Sequence, residues 1–170
     1  MSGATRIGLF TDVYSSTATN LPASMGRVEE NEYGDRFMFV RQLGATSSAV
    51  GEWAAQATTI GRGAVSRTAA TSCINGVETI APAVGVFQSI LAVNQYGWVQ
   101  ISGVGVTTIA VTDGGVAQGD FLIIDGGNTP VGACESGGAG EEMCCCGWAL
   151  ADDTGTTLLA GNYTIRSIYT

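Results

Sequence analysis

The sequence predicts an all-β protein: a single β-barrel or β-sandwich of short antiparallel strands, led by an extended N-terminal arm, with room for one short helix. Composition is the first ground. Of 170 residues, 25 are Gly and only 13% are charged, which is roughly twice the usual ~7% Gly and half the usual ~25% charge. Short strands joined by many tight turns need that balance, whereas a disordered chain would carry more charge and less than the 45% hydrophobic content found here. The second ground is the stretch of residues 94–125. It holds three runs rich in β-branched and aromatic residues, at 97–101, 104–111 and 121–124. Turn formers separate them: Ser102 with Gly103, then Thr112, Asp113, Gly114 and Gly115, then Gln118, Gly119 and Asp120. Gly supplies the positive φ that such turns need without a Cβ clash. The third ground is repetition, because residues 143–151, 156–160 and 163–168 follow the same scheme around turns at Asp152 and at Gly161 with Asn162.

Taken in order, residues 1–30 differ from the rest. They are rich in Ser, Thr and Ala, break at Asn20, Leu21 and Pro22, and lead into the acidic cluster Glu29, Glu30 and Glu32 across the boundary. Two readings stand: an arm reaching to a neighbouring subunit, or a frayed terminus with an edge strand around Arg6 to Phe10. Residues 31–170 form the second unit, a β-rich domain. Its first strong strand alternates Phe37, Phe39 and Arg41 on one face with Arg36, Met38 and Val40 on the other, so it is expected to be covered on both sides. Residues 44–51 read as a turn region. Residues 52–57 suit a short helix, but Thr58, Thr59 and Ile60 favour an extended path. A broken strand is expected around Ser66 to Ala70. Residues 79–93 suit a helix or two strands, with Pro82 and Gly85 against a helix at its start. Within 97–101, Trp98 and Gln100 share one face and Val99 and Ile101 the other.

The totals exclude several functions. All 7 basic residues are Arg, there is no His, and the net charge is −8, so binding to a phosphate backbone is disfavoured on electrostatic grounds. Without His the chain lacks the commonest general base and the commonest metal ligand. The absence of Lys leaves sheet edges unguarded by long cationic side chains. Either other subunits cover those edges or the composition has drifted. No signal peptide and no apolar run of about 18 residues is visible, so synthesis in a cytoplasm and no membrane association are expected.

Two groups of residues invite chemistry. Cys144, Cys145 and Cys146 adjoin, with Cys134 nearby and Cys73 remote. The spacing lacks the paired knuckles of a thiolate metal site, and alternate strand residues point to opposite faces. Packing as small buried hydrophobes leads, ahead of a disulfide with Cys134 and of a metal site. The acids Asp113, Asp120, Asp125, Asp152 and Asp153 lie in or beside Gly-containing turns. A carboxylate pair for glycoside hydrolysis is conceivable, but turn capping explains them better. No catalytic residue, cofactor or metal site is assigned, and an enzyme is not expected. The aromatics Trp53, Trp98, Trp148, Tyr33, Tyr96 and Phe37 suit either core packing or interface anchors. Trp98 is either the hub of the barrel or a contact to the next protein.

The order of the pieces resembles a family. Arg36, Phe37, Met38, Phe39, Val40 and Arg41 form a strand, followed by a turn and a long apolar middle. Tyr96, Gly97, Trp98 and Val99 come next, then Ala117, Gln118, Gly119 and Asp120, and late in the chain Gly147, Trp148, Ala149 and Leu150. This arrangement, over residues 33–170, is similar to the decoration or cement proteins of tailed-bacteriophage capsids, with the Cys triplet as a departure. The resemblance implies a non-enzymatic virion protein on the outer capsid surface. It implies docking on a shell of major capsid protein, often as a homotrimer, with capsid stabilisation as its role. On that reading the interface candidates are Trp98, Tyr96, Trp53, Phe37, Arg6 and Phe10. Rivals are a tail or spike component and a carbohydrate-binding module stacking sugars on Trp53 or Trp98.

Overall fold

The computed structural model describes residues 9–56, 63–66, 83–108, 116–124, 134–136, 147–152 and 159–164. Its strands are β1 (Val28–Glu30), β2 (Arg36–Gln42), β3 (Trp53–Gln56), β4 (Ala64–Ser66), β5 (Ala83–Phe87), β6 (Tyr96–Thr108), β7 (Phe121–Ile124), β8 (Cys134–Ser136), β9 (Gly147–Ala149) and β10 (Leu159–Thr164). The fold is all-β, as the composition and turn spacing predict. Among the described residues the helical content is a single 3-10 turn at Leu9–Thr11, so neither 52–56 nor 83–93 supplies the short helix that had room in the sequence.

The strands follow the order β1-β2-β4-β3-β5-β6-β10-β9-β7-β8, and β2 also pairs with β6. That extra pairing closes β2, β4, β3, β5 and β6 into a five-stranded barrel. Closure leaves these five strands of a Lys-free chain without a free edge, while β1 and β8 stand at the two ends of the strand order. Among the described residues every ladder is antiparallel except β2 with β4, where Arg41 and Gln42 pair in parallel with Ala64 and Val65. The expectation of antiparallel strands throughout is corrected at that one pairing.

Each barrel strand sends apolar side chains inward: Met38 and Val40 from β2, Ala54 from β3, Val65 from β4, Val84 and Phe87 from β5, and Val99 from β6. Leu91, from the loop after β5, joins this core and is fully buried. Burying each large apolar side chain contributes about 1.5–3 kcal/mol. Gln42 is also fully buried, but its polar atoms are used: Nε2 donates to the Thr46 carbonyl at 3.0 Å, and Oε1 accepts from Gly44 N–H at 3.2 Å. Phe37 and Phe39 point the other way, onto the outer face of the barrel. The period-2 reading of this strand is borne out, including cover on both faces.

β6 is the spine of the molecule. Its first half pairs with β2 on one side and β5 on the other, while its second half pairs with β10. At Ser102 the strand is paired with both Arg36 and Thr164. The break expected at Ser102 and Gly103 is therefore absent, because a residue held on both sides has no freedom to turn. Gly103 serves a different need. It sits at φ +150° under the tip of the β1–β2 hairpin, where an added Cβ would fall on the Asp35 carboxylate and lie 2.5 Å from the Gln100 amide. Asn31 shapes that hairpin tip, with Oδ1 accepting from Tyr33 N–H and Asp35 N–H, both at 2.9 Å.

The turn expected at Gly161 and Asn162 is likewise corrected. β10 runs straight through both residues, pairing Gly161 with Val106 and Ala149 and Asn162 with Trp148. The local irregularity is a bulge, since two steps along β10 from Gly161 to Tyr163 match three steps along β6 from Val106 to Gly103. An extra residue in one strand adds twist without reversing the chain. The turn at Gln118 and Gly119 does form, with Gly119 at φ +93° and Asp120 Oδ2 accepting from Ala117 N–H at 3.0 Å.

Candidate docking surface

The aromatic residues singled out in the sequence gather on the outer face of β2 and β6. Register places Phe39 beside Trp98 and Phe37 beside Gln100. The chain then covers this face with its own N-terminal segment. Phe10 stacks on Phe37 at 3.9 Å between centroids, with planes 10° apart, and meets the edge of Trp98 at 5.1 Å. Tyr14 meets Phe39 at 5.8 Å, and Leu21 and Ala23 pack beside the cluster. Tyr14 and Tyr96 exchange backbone hydrogen bonds of 2.9 and 3.0 Å. Burial, and next the Asp12 carboxylate, push the Tyr14 phenol above its ordinary pKa.

This settles where the candidate interface residues lie. Trp98, Phe37 and Phe10 are buried together in the chain, and Tyr96 is half-buried beside them, with Arg41 over its ring at 5.5 Å. Trp53 is buried on β3, apart from that cluster. Arg6 lies outside the described residues. Trp98 is thus a hub of packing, and its Nε1 is buried with no hydrogen-bond partner. Residues 9–30 of the expected arm lie on the barrel of their own chain, as a strap followed by β1.

Val13 and Met25 on the strap and Tyr33 at the hairpin tip are exposed, and a further group of exposed apolar side chains lies away from this face. Val50, Ile90 and Val93 are 52%, 62% and 40% exposed. They stand on two loops that are laced together at one end of the barrel. Ser48 N–H donates to the Leu91 carbonyl at 2.9 Å, Leu91 N–H donates to Ser48 Oγ at 2.9 Å, and Gly51 N–H donates to the Phe87 carbonyl at 3.0 Å. Residues 43–51 and 88–95 contain no charged side chain. Glu52, which follows the first loop, is buried, and its Oε2 accepts from Ala49 N–H at 2.7 Å. Sequence reading passed over these residues because loop apolar residues show no period. The available signal was apolar residues beside turn formers, in segments free of charge.

A separate exposed apolar residue is Trp148 on β9, 53% exposed, with the Phe121 ring edge-on at 6.3 Å and Leu150 close in sequence. The acids around it act as turn caps. Asp152 Oδ1 accepts from Gln118 N–H at 2.7 Å, and Asp120 holds its own turn. Among the described residues no group of His, Cys, Asp and Glu is arranged to hold a metal ion. Cys134 lies on β8, while Cys73, Cys144, Cys145, Cys146, Asp113, Asp125 and Asp153 fall outside the described residues.

Fold and surface together define an all-β barrel protein whose described turn acids hold backbone and whose apolar exposure is concentrated on loops. No protein-family model and no curated protein matches the sequence. Among solved structures, the chain is similar to the N base of the head fibre gp8.5 of bacteriophage phi29. The identity is 9% and the TM-score 0.48, over 75% of this chain and 94% of that one.

Proposed function

We propose that this chain is a non-enzymatic structural protein of a phage virion, which docks on an assembled capsid shell and stabilises it. The observation that carries the reading is the pair of loops without charged residues at one end of the barrel, with Val50, Ile90 and Val93 facing solvent in a chain of net charge −8. An acidic protein meets another surface most cheaply through such a neutral apolar patch. The resemblance of its motif order to that of capsid decoration proteins supports the same role. A part that binds only the assembled lattice stabilises it by mass action. Copies placed by shell symmetry, as a homotrimer on this reading, multiply a modest contact through effective concentration.

Cosedimentation with expanded shells of tailed-phage major capsid protein tests the proposal. Ile90→Asp leaves the fold intact because the side chain is solvent-facing. It places an unpaired charge in the contact, so binding is expected to weaken by about tenfold or more. Wild-type protein that stays in the supernatant, or an Ile90→Asp variant that binds like wild type, would rule the proposal out.

One observation favours a second reading. The carbohydrate-binding alternative rested on Trp53 or Trp98, both of which are buried, whereas Trp148 offers an open indole face. Saccharide binding on a glycan array that is lost in a folded Trp148→Ala variant is the outcome that reading expects.

A further inference from the structure

Resting on the proposed shell docking, we infer that Arg41 is the polar contact of that surface, and that it receives an aspartate or glutamate carboxylate of the shell protein beside Val93. Arg41 lies near the end of β2, where register sets it beside Tyr96. Its guanidinium lies over the Tyr96 ring at 5.5 Å, and Nη2 donates to Asn94 Oδ1 at 3.1 Å. Asn94 follows Val93 in the uncharged loop at 88–95, at φ +69°, and its N–H donates to the Gln42 carbonyl at 2.7 Å. Gln95 closes the same turn, with its N–H donating to the Ala92 carbonyl at 3.0 Å and Oε1 accepting from Ala92 N–H at 2.8 Å. The turn that presents Val93 is thus fastened to the strand that presents Arg41.

Arg41 stands out because no carboxylate among the described residues pairs with it. Arg27 pairs with Glu29 at 3.3 Å and Arg36 is exposed at the start of β2, whereas half-buried Arg41 has an aromatic ring and a neutral amide as partners. Nearby acids are engaged elsewhere: Asp35 accepts from Asn31 Nδ2, and Glu52 from Ala49 N–H. Arg41 Nε is buried without a hydrogen-bond partner, while Nη1 makes no hydrogen bond to the described residues and is not closed off in that way. A guanidinium carries five donors in a planar fork, and Asn94 takes one. Ring and amide fix the fork before any partner arrives, so little side-chain freedom is lost on pairing. Half-burial withdraws water from it, which strengthens an ion pair with a carboxylate. Charge balance selects the occupant. A chain of net −8 repels a polyphosphate surface, and a second copy brings the same −8. A carboxylate on a different protein, set among apolar side chains that cover Val93, matches both the guanidinium and the neutral loop beside it.

Two measurements with expanded shells of tailed-phage major capsid protein test this. In cosedimentation, Arg41→Gln is expected to weaken binding about tenfold at low salt and to lose most of the salt dependence of the wild type. Equal binding by wild type and Arg41→Gln overturns the inference. A loss of the same size at low and high salt also overturns it, because that pattern marks a residue that only holds the turn. The sequence contains no Lys, so Arg41→Lys places the chain's one side-chain amine at the site. A water-soluble carbodiimide joins an amine to a carboxylate in contact with it, and mass mapping of peptides reads the partner. The expected link joins position 41 to an aspartate or glutamate of the shell protein. A link to a carboxylate of the same chain or of a second copy overturns the assignment, as does shell-bound protein with no link at position 41. The two readings fail separately. Wild type that does not sediment with shells removes both, whereas shells that bind wild type and Arg41→Gln alike but not Ile90→Asp remove the role of Arg41 alone.

Discussion

Replacing Trp98 with alanine is expected to cost about 3–5 kcal/mol, the usual toll for removing a large buried aromatic side chain. Trp98 is 1% exposed and receives the ring edges of Phe10 at 5.1 Å and Phe39 at 5.0 Å. Its loss leaves a hole on the outer face of β2 and β6 and takes away part of the floor on which the strap rests. In a domain of this size the melting temperature should fall by roughly 6–20 °C, and residues 9–14 should become the first site of limited proteolysis. Trp98→Phe is the informative companion. It keeps a ring and removes an indole N–H that is buried without a partner, a group that itself costs about 1–3 kcal/mol. The phenylalanine variant should therefore lie much closer to wild type than to the alanine variant. Equal melting of all three proteins would show that Trp98 is not a packing hub.

The second large effect is expected at glycines, where a single methyl group separates space from backbone conformation. Gly34 sits at φ +84° with open space where a Cβ would be. Gly34→Ala should cost about 1 kcal/mol, from conformation alone. Gly85 on β5 is the reverse case: a Cβ there would land on the Gln100 carbonyl oxygen and 3.0 Å from its carbon. Neighbouring backbone has no rotamer to escape into, so Gly85→Ala should cost about 2–3 kcal/mol by overpacking and loosen the β5–β6 seam. Gly63 combines both, at φ +90° with the Gly26 nitrogen at the Cβ position and the Met25 carbonyl carbon 3.0 Å away. Gly63→Ala should be the worst, at roughly 3–5 kcal/mol. Chemical denaturation of the three variants tests the ranking. If Gly34→Ala proved as damaging as Gly63→Ala, close approach of the strap's end to Gly63 would not be what requires glycine there.

Much of this fold is legible in sequence where a local rule suffices. The alternation at residues 36–41 and 98–101 sorts side chains onto two faces correctly, and the structure makes the face of Met38, Val40 and Val99 the barrel interior and that of Phe37, Phe39 and Trp98 the outside. Asp120 beside Gly119 makes the turn its residue types favour, because an Asp side chain accepts from nearby backbone N–H at short range. Gly103 and Gly161 read as turns by the same rule, but each lies within a continuous strand. A glycine signals that a backbone needs freedom or room, and only the neighbouring strands say which.

The candidate surface was the least legible part. Trp53, Trp98 and Trp148 are equivalent as residue types, and each lies in a strand, yet two are buried and one stands open. The difference comes from which sheet face meets the core, the strap or solvent, and those are long-range facts. By itself the sequence determined the strand class, the period of the barrel strands and the local turn at Gly119, since each depends on neighbours a few residues away. Tertiary structure decided that β2 and β6 meet to close a barrel, and that residues 9–26 cover the outer aromatic face. It also decided that Val50, Ile90 and Val93 face solvent at one end. The physical reason is that closure and burial are properties of strands brought together across long separations, and no local pattern encodes which face will be covered.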